Sequence, residues 1–358
     1  MAVRPEHMQS DLGPASGRPE ETPAGDGPPG DGPSSHEDIQ NGLGAAAMPG
    51  PDDARGDDET RAYGTSAQAG AAGPGGPPDP PGEHKAIATG RNLPVAIAVG
   101  VGLGGLALVT LFTVKATFLL YVGAVVGLAL WELSRALGSR AVNLALLPVA
   151  AGGAAMIALA YWTGYRDALA AFAVTFVAVL AWRLPRGADG YVRDVTASVF
   201  TLAYLPLLAS FVGLMLARGD GDRRVLLFIL LTVCSDVGGY FVGILFGRHP
   251  MAPVISPKKT WEGLAGSAAF CLAAGAIALP LLLHGRVWQG LILGIAAVAA
   301  ATLGDLVESM IKRDLKIKDM GSILPGHGGI LERLDSLLIM APVVWLLLTW
   351  FVPHVHHG

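Results

Sequence analysis

Asp305, Glu308, Ser309 and Lys312 stand at i, i+3, i+4 and i+7, a spacing that places two carboxylates, a hydroxyl and an ammonium on one face of a helix. Arg313, Lys318 and Asp319 follow. The loop Pro325-Gly326-His327-Gly328-Gly329 then exposes its backbone, and Glu332, Arg333 and Asp335 open the next apolar run. Hard oxygen donors mixed with clustered cations describe a magnesium and polyphosphate site, whereas zinc would call for His and Cys ligands. The competing reading is a solvated charged loop with ordinary i,i+4 pairing. It explains less, because acids and bases share one helix face at the end of an apolar segment.

Two further groups belong with this cluster. Ser256-Pro257-Lys258-Lys259-Thr260-Trp261-Glu262-Gly263 enters an apolar run, with Pro257 fixing a turn, Thr260 placed to cap a helix and Glu262 suited to the helix's positive end. Lys258 and Lys259 just ahead of a helix N-terminus attract phosphate, although paired lysines are also what membrane topology alone would place there. Asp236 lies midway along another apolar run, deep enough to require a partner or water, and Gly238 and Gly239 beside it admit a ligand or another helix. Eight of the 14 acids after residue 90 fall between Asp236 and Asp335, a clustering that topology does not require.

The elements that must hold these residues are membrane helices. The 358 residues are 52% hydrophobic and 15% charged, with mean hydropathy +0.48, which excludes an ordinary soluble enzyme. The composition divides near residue 90. Residues 1–90 hold 14 of the 25 prolines and 17 of the 48 glycines, with 15 acids against 5 Lys/Arg, so this part is expected to be a disordered cytoplasmic tail. Residues 91–358 carry net charge +6 and form the candidate enzymatic domain. No basic start followed by an apolar core marks a signal peptide, and Cys234 and Cys271 sit in apolar runs, implying no disulfide framework.

Nine uninterrupted apolar runs are read as transmembrane helices, near 93–113, 116–134, 144–164, 168–183, 195–217, 224–246, 262–283, 287–306 and 335–352. Eight is the nearest competing count, because only Lys115 divides the first two. With nine spans and the N-terminus inside, 15 Lys/Arg fall on inner loops against six outside, which predicts a cytoplasmic N-terminus and an outer C-terminus. Gly100-x-Gly102-x-x-Gly105 has the form of a dinucleotide fingerprint but lies within an apolar run with no preceding strand, so it is read as helix packing. His354, His356 and His357 fall on the side opposite the charged cluster and are given no role in catalysis.

At these residues the sequence resembles the phosphatidate cytidylyltransferase (CDP-diacylglycerol synthase) family. Ser309, Lys312, Arg313, Lys318, Asp319, Gly321, His327, Gly328, Gly329, Arg333 and Asp335 follow that family's pattern in order and spacing, and the block from Ser256 resembles a second family motif. Glu332 stands where the family usually has Asp. The resemblance implies CTP and phosphatidate as substrates, CDP-diacylglycerol and pyrophosphate as products, and a homodimer in the bacterial cell membrane with no nucleic-acid partner.

The clustering of these residues suggests roles for that reaction. Asp305 and Asp335 would hold Mg²⁺, with Glu332 and Asp236 assisting and a monovalent cation as a candidate second ion. Lys312, Arg313, Lys318, Asp319, His327 and Arg333 form the catalytic set; Ser256, Lys258, Lys259, Ser309, Gly328 and Gly329 bind substrate. A CTP-dependent lipid-alcohol kinase makes similar demands on metal and nucleotide, and a transporter would also bury Asp236, but no internal repeat is evident.

Overall fold

A computed structural model of the chain describes residues 93–321, 323 and 328–352. The expected tail, His327 and the three C-terminal histidines lie outside these residues.

The described chain is a bundle of helices. It comprises α1 (Leu93–Thr113), α2 (Lys115–Gly138), α3 (Leu146–Trp162), α4 (Tyr165–Arg183), α5 (Tyr191–Leu202), α6 (Leu208–Leu216), α7 (Gly221–Phe246), α8 (Trp261–Leu283), α9 (Val287–Asp314) and α10 (Leu331–Phe351). A π-helical turn, Ala203–Leu207, contains Pro206 and joins α5 to α6 as one rod, matching the fifth expected span. Seven of these helical rods are long and apolar enough to cross a membrane. The other two expected spans correspond to α3, which is 17 residues long, and to α1.

Uninterrupted apolar runs form helices because in lipid a helix satisfies its own backbone polar groups, and small residues let neighbouring helices approach closely, as at Gly238, Gly266, Gly275 and Gly290. In α1, Gly100 to Gly105 are helical rather than a strand-to-helix turn, but a side chain at Gly102, Gly104 or Gly105 would meet nothing within 4 Å, so the close packing expected through them is not realised among the described residues. Helices α7 to α10 pack in succession, α3 packs on α4 and α6, and α10 also lies against α6, giving one continuous apolar core. Many core-remote apolar side chains, such as Leu120, Val174 and Ile244, remain exposed, as a lipid-facing surface requires.

Polar contacts identify the two ends of the bundle. At one end Lys115 donates to Arg218 O at 2.6 Å, and Arg224 donates to Leu348 O at 3.2 Å and Val352 O at 3.0 Å. At the other end the N-terminus of α10 meets the C-terminal half of α2 through Leu331 N and Glu132. A two-stranded antiparallel hairpin also lies between α7 and α8, β1 (Pro250–Ala252) with β2 (Ser256–Thr260), pairing Pro250 with Thr260 and Ala252 with Ser256. The sequence reading placed a turn at Pro257. The residue is instead in β2, which a two-stranded ribbon tolerates because every strand is an edge.

Candidate active site

Helix α9 is the spine of the site. It continues without a break from its apolar part to Asp314, so Asp305, Glu308, Ser309 and Lys312 do share one helical face. Gly304 lets α10 cross closely, since a side chain there would overlap the backbone at Asp335 and Ser336. That crossing brings Asp335 alongside Asp305, and Ser336 Oγ donates to Asp305 Oδ1 at 2.6 Å. The other Asp305 oxygen forms an ion pair with Lys259 from β2.

The hairpin delivers the lysines. Thr260 caps α8 as expected, its hydroxyl accepting from Gly263 N at 3.1 Å. Glu262 ties the base of the hairpin, accepting from Arg248 N and His249 N, each at 3.2 Å. Arg313 at the end of α9 donates to Ile255 O at 3.4 Å and holds the hairpin tip. Lys258, Lys259, Thr260 and Met251 then border a cleft of about 320 Å³ whose far wall includes Asp236, Thr302 and Asp305. Of the two roles considered for Gly238, close helix approach is the one realised: a side chain there would collide with Gly266 O of α8.

A second cavity, of about 470 Å³, is lined by Asp236, Asp305, Glu332, Arg333, Asp335 and Tyr240 among others. Asp236 and Asp305 border both spaces. Four separate segments, α7, β2, α9 and the start of α10, therefore bring three aspartates, two lysines and an arginine to one place.

Glu332 lines this cavity and is also tied to the backbone around it. Its carboxylate accepts from Gly329 N at 3.1 Å and Met320 N at 3.3 Å, and lies 3.4 Å from Lys312 Nζ. Lys312 also pairs with Glu308 at 2.7 Å. These groups brace the segment between α9 and α10. Lys318 and Asp319 are exposed on that segment, Ser309 is half-buried one turn beyond Asp305, and Ser256 pairs across the hairpin.

Two residues escaped the sequence reading. Glu132 of α2 is buried, and its Oε2 accepts from Leu331 N at 2.9 Å. Gly321 and Gly329 approach the same carboxylate so closely that a Cβ on either would overlap it. The available signal was an acid inside an apolar run, which marks function by default. Tyr204 sits on the π-helical turn, a feature frequent at functional sites. Among the described residues its buried hydroxyl has no hydrogen-bond partner, and it lies within electrostatic reach of Asp335, Glu308 and Asp305.

Among the described residues, no three His, Cys, Asp or Glu side chains converge tightly enough to form a complete metal cage. Mg²⁺ does not need one: it is usually held by one or two carboxylates, with water and substrate phosphate completing the shell. Asp236, Asp305 and Asp335, oxygen donors around a shared cavity, fit that requirement.

Residues 94–351 match the cytidylyltransferase family. The chain is 42% identical over 277 residues to a phosphatidate cytidylyltransferase of Mycobacterium leprae (strain TN), covering 73% of this chain and 88% of the relative. It is 39% identical over 273 residues to that of Mycobacterium tuberculosis (strain ATCC 25618 / H37Rv), covering 73% and 83%. A Staphylococcus epidermidis (strain ATCC 12228 / FDA PCI 1200) phosphatidate cytidylyltransferase is 38% identical over 161 residues, covering 43% and 59%.

Proposed function

The chain belongs to the cytidylyltransferase family and forms CDP-diacylglycerol from CTP and phosphatidate; we propose that the reaction takes place in the joined cavities around Asp305, with Mg²⁺ as the ion. The observation that carries this placement is the meeting of Lys259 with Asp305 beside Asp236 and Asp335.

The chemistry asks mainly for positioning and charge control. A phosphate oxygen of phosphatidate attacks the α-phosphorus of CTP, the bond from that phosphorus to the β-bridging oxygen breaks, and pyrophosphate leaves. The nucleophile needs no strong base, because a phosphomonoester has its second ionisation near pH ~6. The principal barrier is bringing two anions together. Lys258 and Lys259 hold the triphosphate, and Arg333 holds the lipid phosphate at the other side of Asp236. Asp305 and Asp335 would hold Mg²⁺, with Asp236 and Glu332 of the same cavity assisting, and the ion would supply positive charge to offset that of the phosphates. Lys259 then exchanges its Asp305 pairing for phosphate.

The same reading includes nine spans, a cytoplasmic N-terminus, a homodimer and a monovalent cation beside Mg²⁺. The test of the ion is titration of purified protein with MgCl₂ at fixed CTP and phosphatidate. CDP-diacylglycerol formation should be absent in excess chelator and restored by Mg²⁺; undiminished turnover in chelator would refute it.

A further inference from the structure

A third cavity, of about 310 Å³, differs from the other two in being walled almost wholly by apolar side chains. Its walls come from α1, α2, α6, α7 and α10, yet at one end it reaches Asp236 and Arg333, which also line the acidic cavity. Building on the substrate assignment above, we propose that this cavity is a slot for one acyl chain of phosphatidate, placed so that the lipid phosphate emerges beside Arg333.

The direction of the slot follows from three helices. On α10 it runs from Arg333 to Ala341, on α7 from Asp236 back to Phe228, and on α2 from Val126 back to Phe118. Each stretch covers eight helical steps, about 12 Å at 1.5 Å per residue. The ends agree, since α2 meets the start of α10 at Glu132 and Leu331, whereas α7 starts beside the end of α10 through Arg224 and Leu348. All three stretches thus lead away from the acidic cavity towards the opposite end of the bundle.

The walls suit a hydrocarbon. Phe118, Val126, Phe228 and Leu338 are buried. The hydroxyls of Tyr121 and Thr232 already donate to Leu103 O at 3.3 Å and Phe228 O at 3.1 Å, so they make no demand on an occupant. Val233 at the margin is 51% exposed, giving a side entrance from the lipid-facing surface between α1 and α7.

A chain that moves from bilayer to slot gains little hydrophobic free energy, because lipid tails are as apolar as the walls. The slot's contribution is alignment: a seated chain fixes the depth and direction of its phosphate before attack. Chain length and shape should therefore govern turnover with phosphatidate and leave CTP binding untouched.

The test uses the full-length protein in phosphatidylcholine vesicles. Phosphatidate with a diazirine in mid-chain should label peptides covering residues 118–126 or 334–341, and unlabelled dioleoyl phosphatidate should suppress that labelling. Val233→Trp narrows the entrance from a lipid-facing position. It should lower kcat/KM for dioleoyl phosphatidate by about tenfold, the scale of a disturbed apolar pocket, while dihexanoyl phosphatidate and KM for CTP change by less than about twofold. Equal losses for both lipids, unchanged turnover of the long lipid, or equal suppression of labelling by phosphatidylcholine would overturn the slot. Specific labelling without any CDP-diacylglycerol would leave the slot standing and defeat the reaction assigned above.

Discussion

Asp194 and Asp305 are both aspartates within membrane helices, and both face cations, but the structure treats them oppositely. The Asp194 side chain has no exposure; its oxygens meet Arg183 Nε at 2.9 Å, Arg193 Nε at 3.2 Å and Asn143 N at 3.1 Å. Arg183 is anchored in turn on Asp189 O at 2.7 Å. Protein closes around this carboxylate and its Arg183 partner, and only the outer cation, Arg193, reaches the surface. Asp305 retains 29% side-chain exposure, borders two cavities and shares them with Asp236 and Asp335. An acid in a membrane becomes a site when its neighbours leave room for a ligand; one whose neighbours close around it is a fastener.

The contrast can be broken by exchanging charge for amide at each acid. Asp305→Asn should lower turnover by about a thousandfold, the scale expected when charge positioning at a phosphoryl centre is lost. Melting in detergent should change little, which separates chemistry from folding. Asp194→Asn should reverse the pattern, because breaking a buried ion pair costs about 3–5 kcal/mol. Its melting temperature should fall markedly, with near-normal turnover per folded molecule. A Lys259→Ala variant sharpens the comparison from the cation side: one lost charge-assisted bond of about 2 kcal/mol should raise KM for CTP roughly thirtyfold. Glu132→Gln falls between the two classes. It keeps an acceptor for Leu331 N, so kcat should fall by less than about tenfold, whereas Glu132→Ala abandons a buried amide worth about 1–3 kcal/mol and should impair turnover and melting together. Steady-state kinetics paired with detergent melts read out all five variants.

The functional face of α9 was legible because helical spacing is fixed and its four polar residues interrupt an apolar run. The Thr260 cap was legible for the same local reason. The hairpin was not, since Ser256 to Thr260 lacks alternation and carries a proline, so only its pairing with Pro250–Ala252 makes it a strand. Asp335 could be grouped with Asp305 by chemistry, but the crossing at Gly304 that joins them depends on tertiary packing. Glu132 was visible as an acid inside an apolar run, but its partner was hidden: Leu331 is 199 residues away, and the bond goes to a backbone amide that leaves no trace in side-chain pattern. Glu332 shows the converse limit, because its place in the acidic cavity was legible from its chemistry while its bonds to the Met320 and Gly329 amides were not.

The central claim is that the open acidic cluster around Asp305 transfers a cytidylyl group to the phosphate of a lipid. The most direct measurement follows separately α- and γ-labelled CTP through matched membranes carrying the natural chain or Asp305→Asn, supplied with phosphatidate and Mg²⁺. The account predicts that α-label enters the lipid fraction as CDP-diacylglycerol and γ-label leaves in pyrophosphate, both only with the natural chain. Lipid carrying γ-label would mark a kinase, no turnover would favour transport, and full α-transfer by Asp305→Asn would contradict the site.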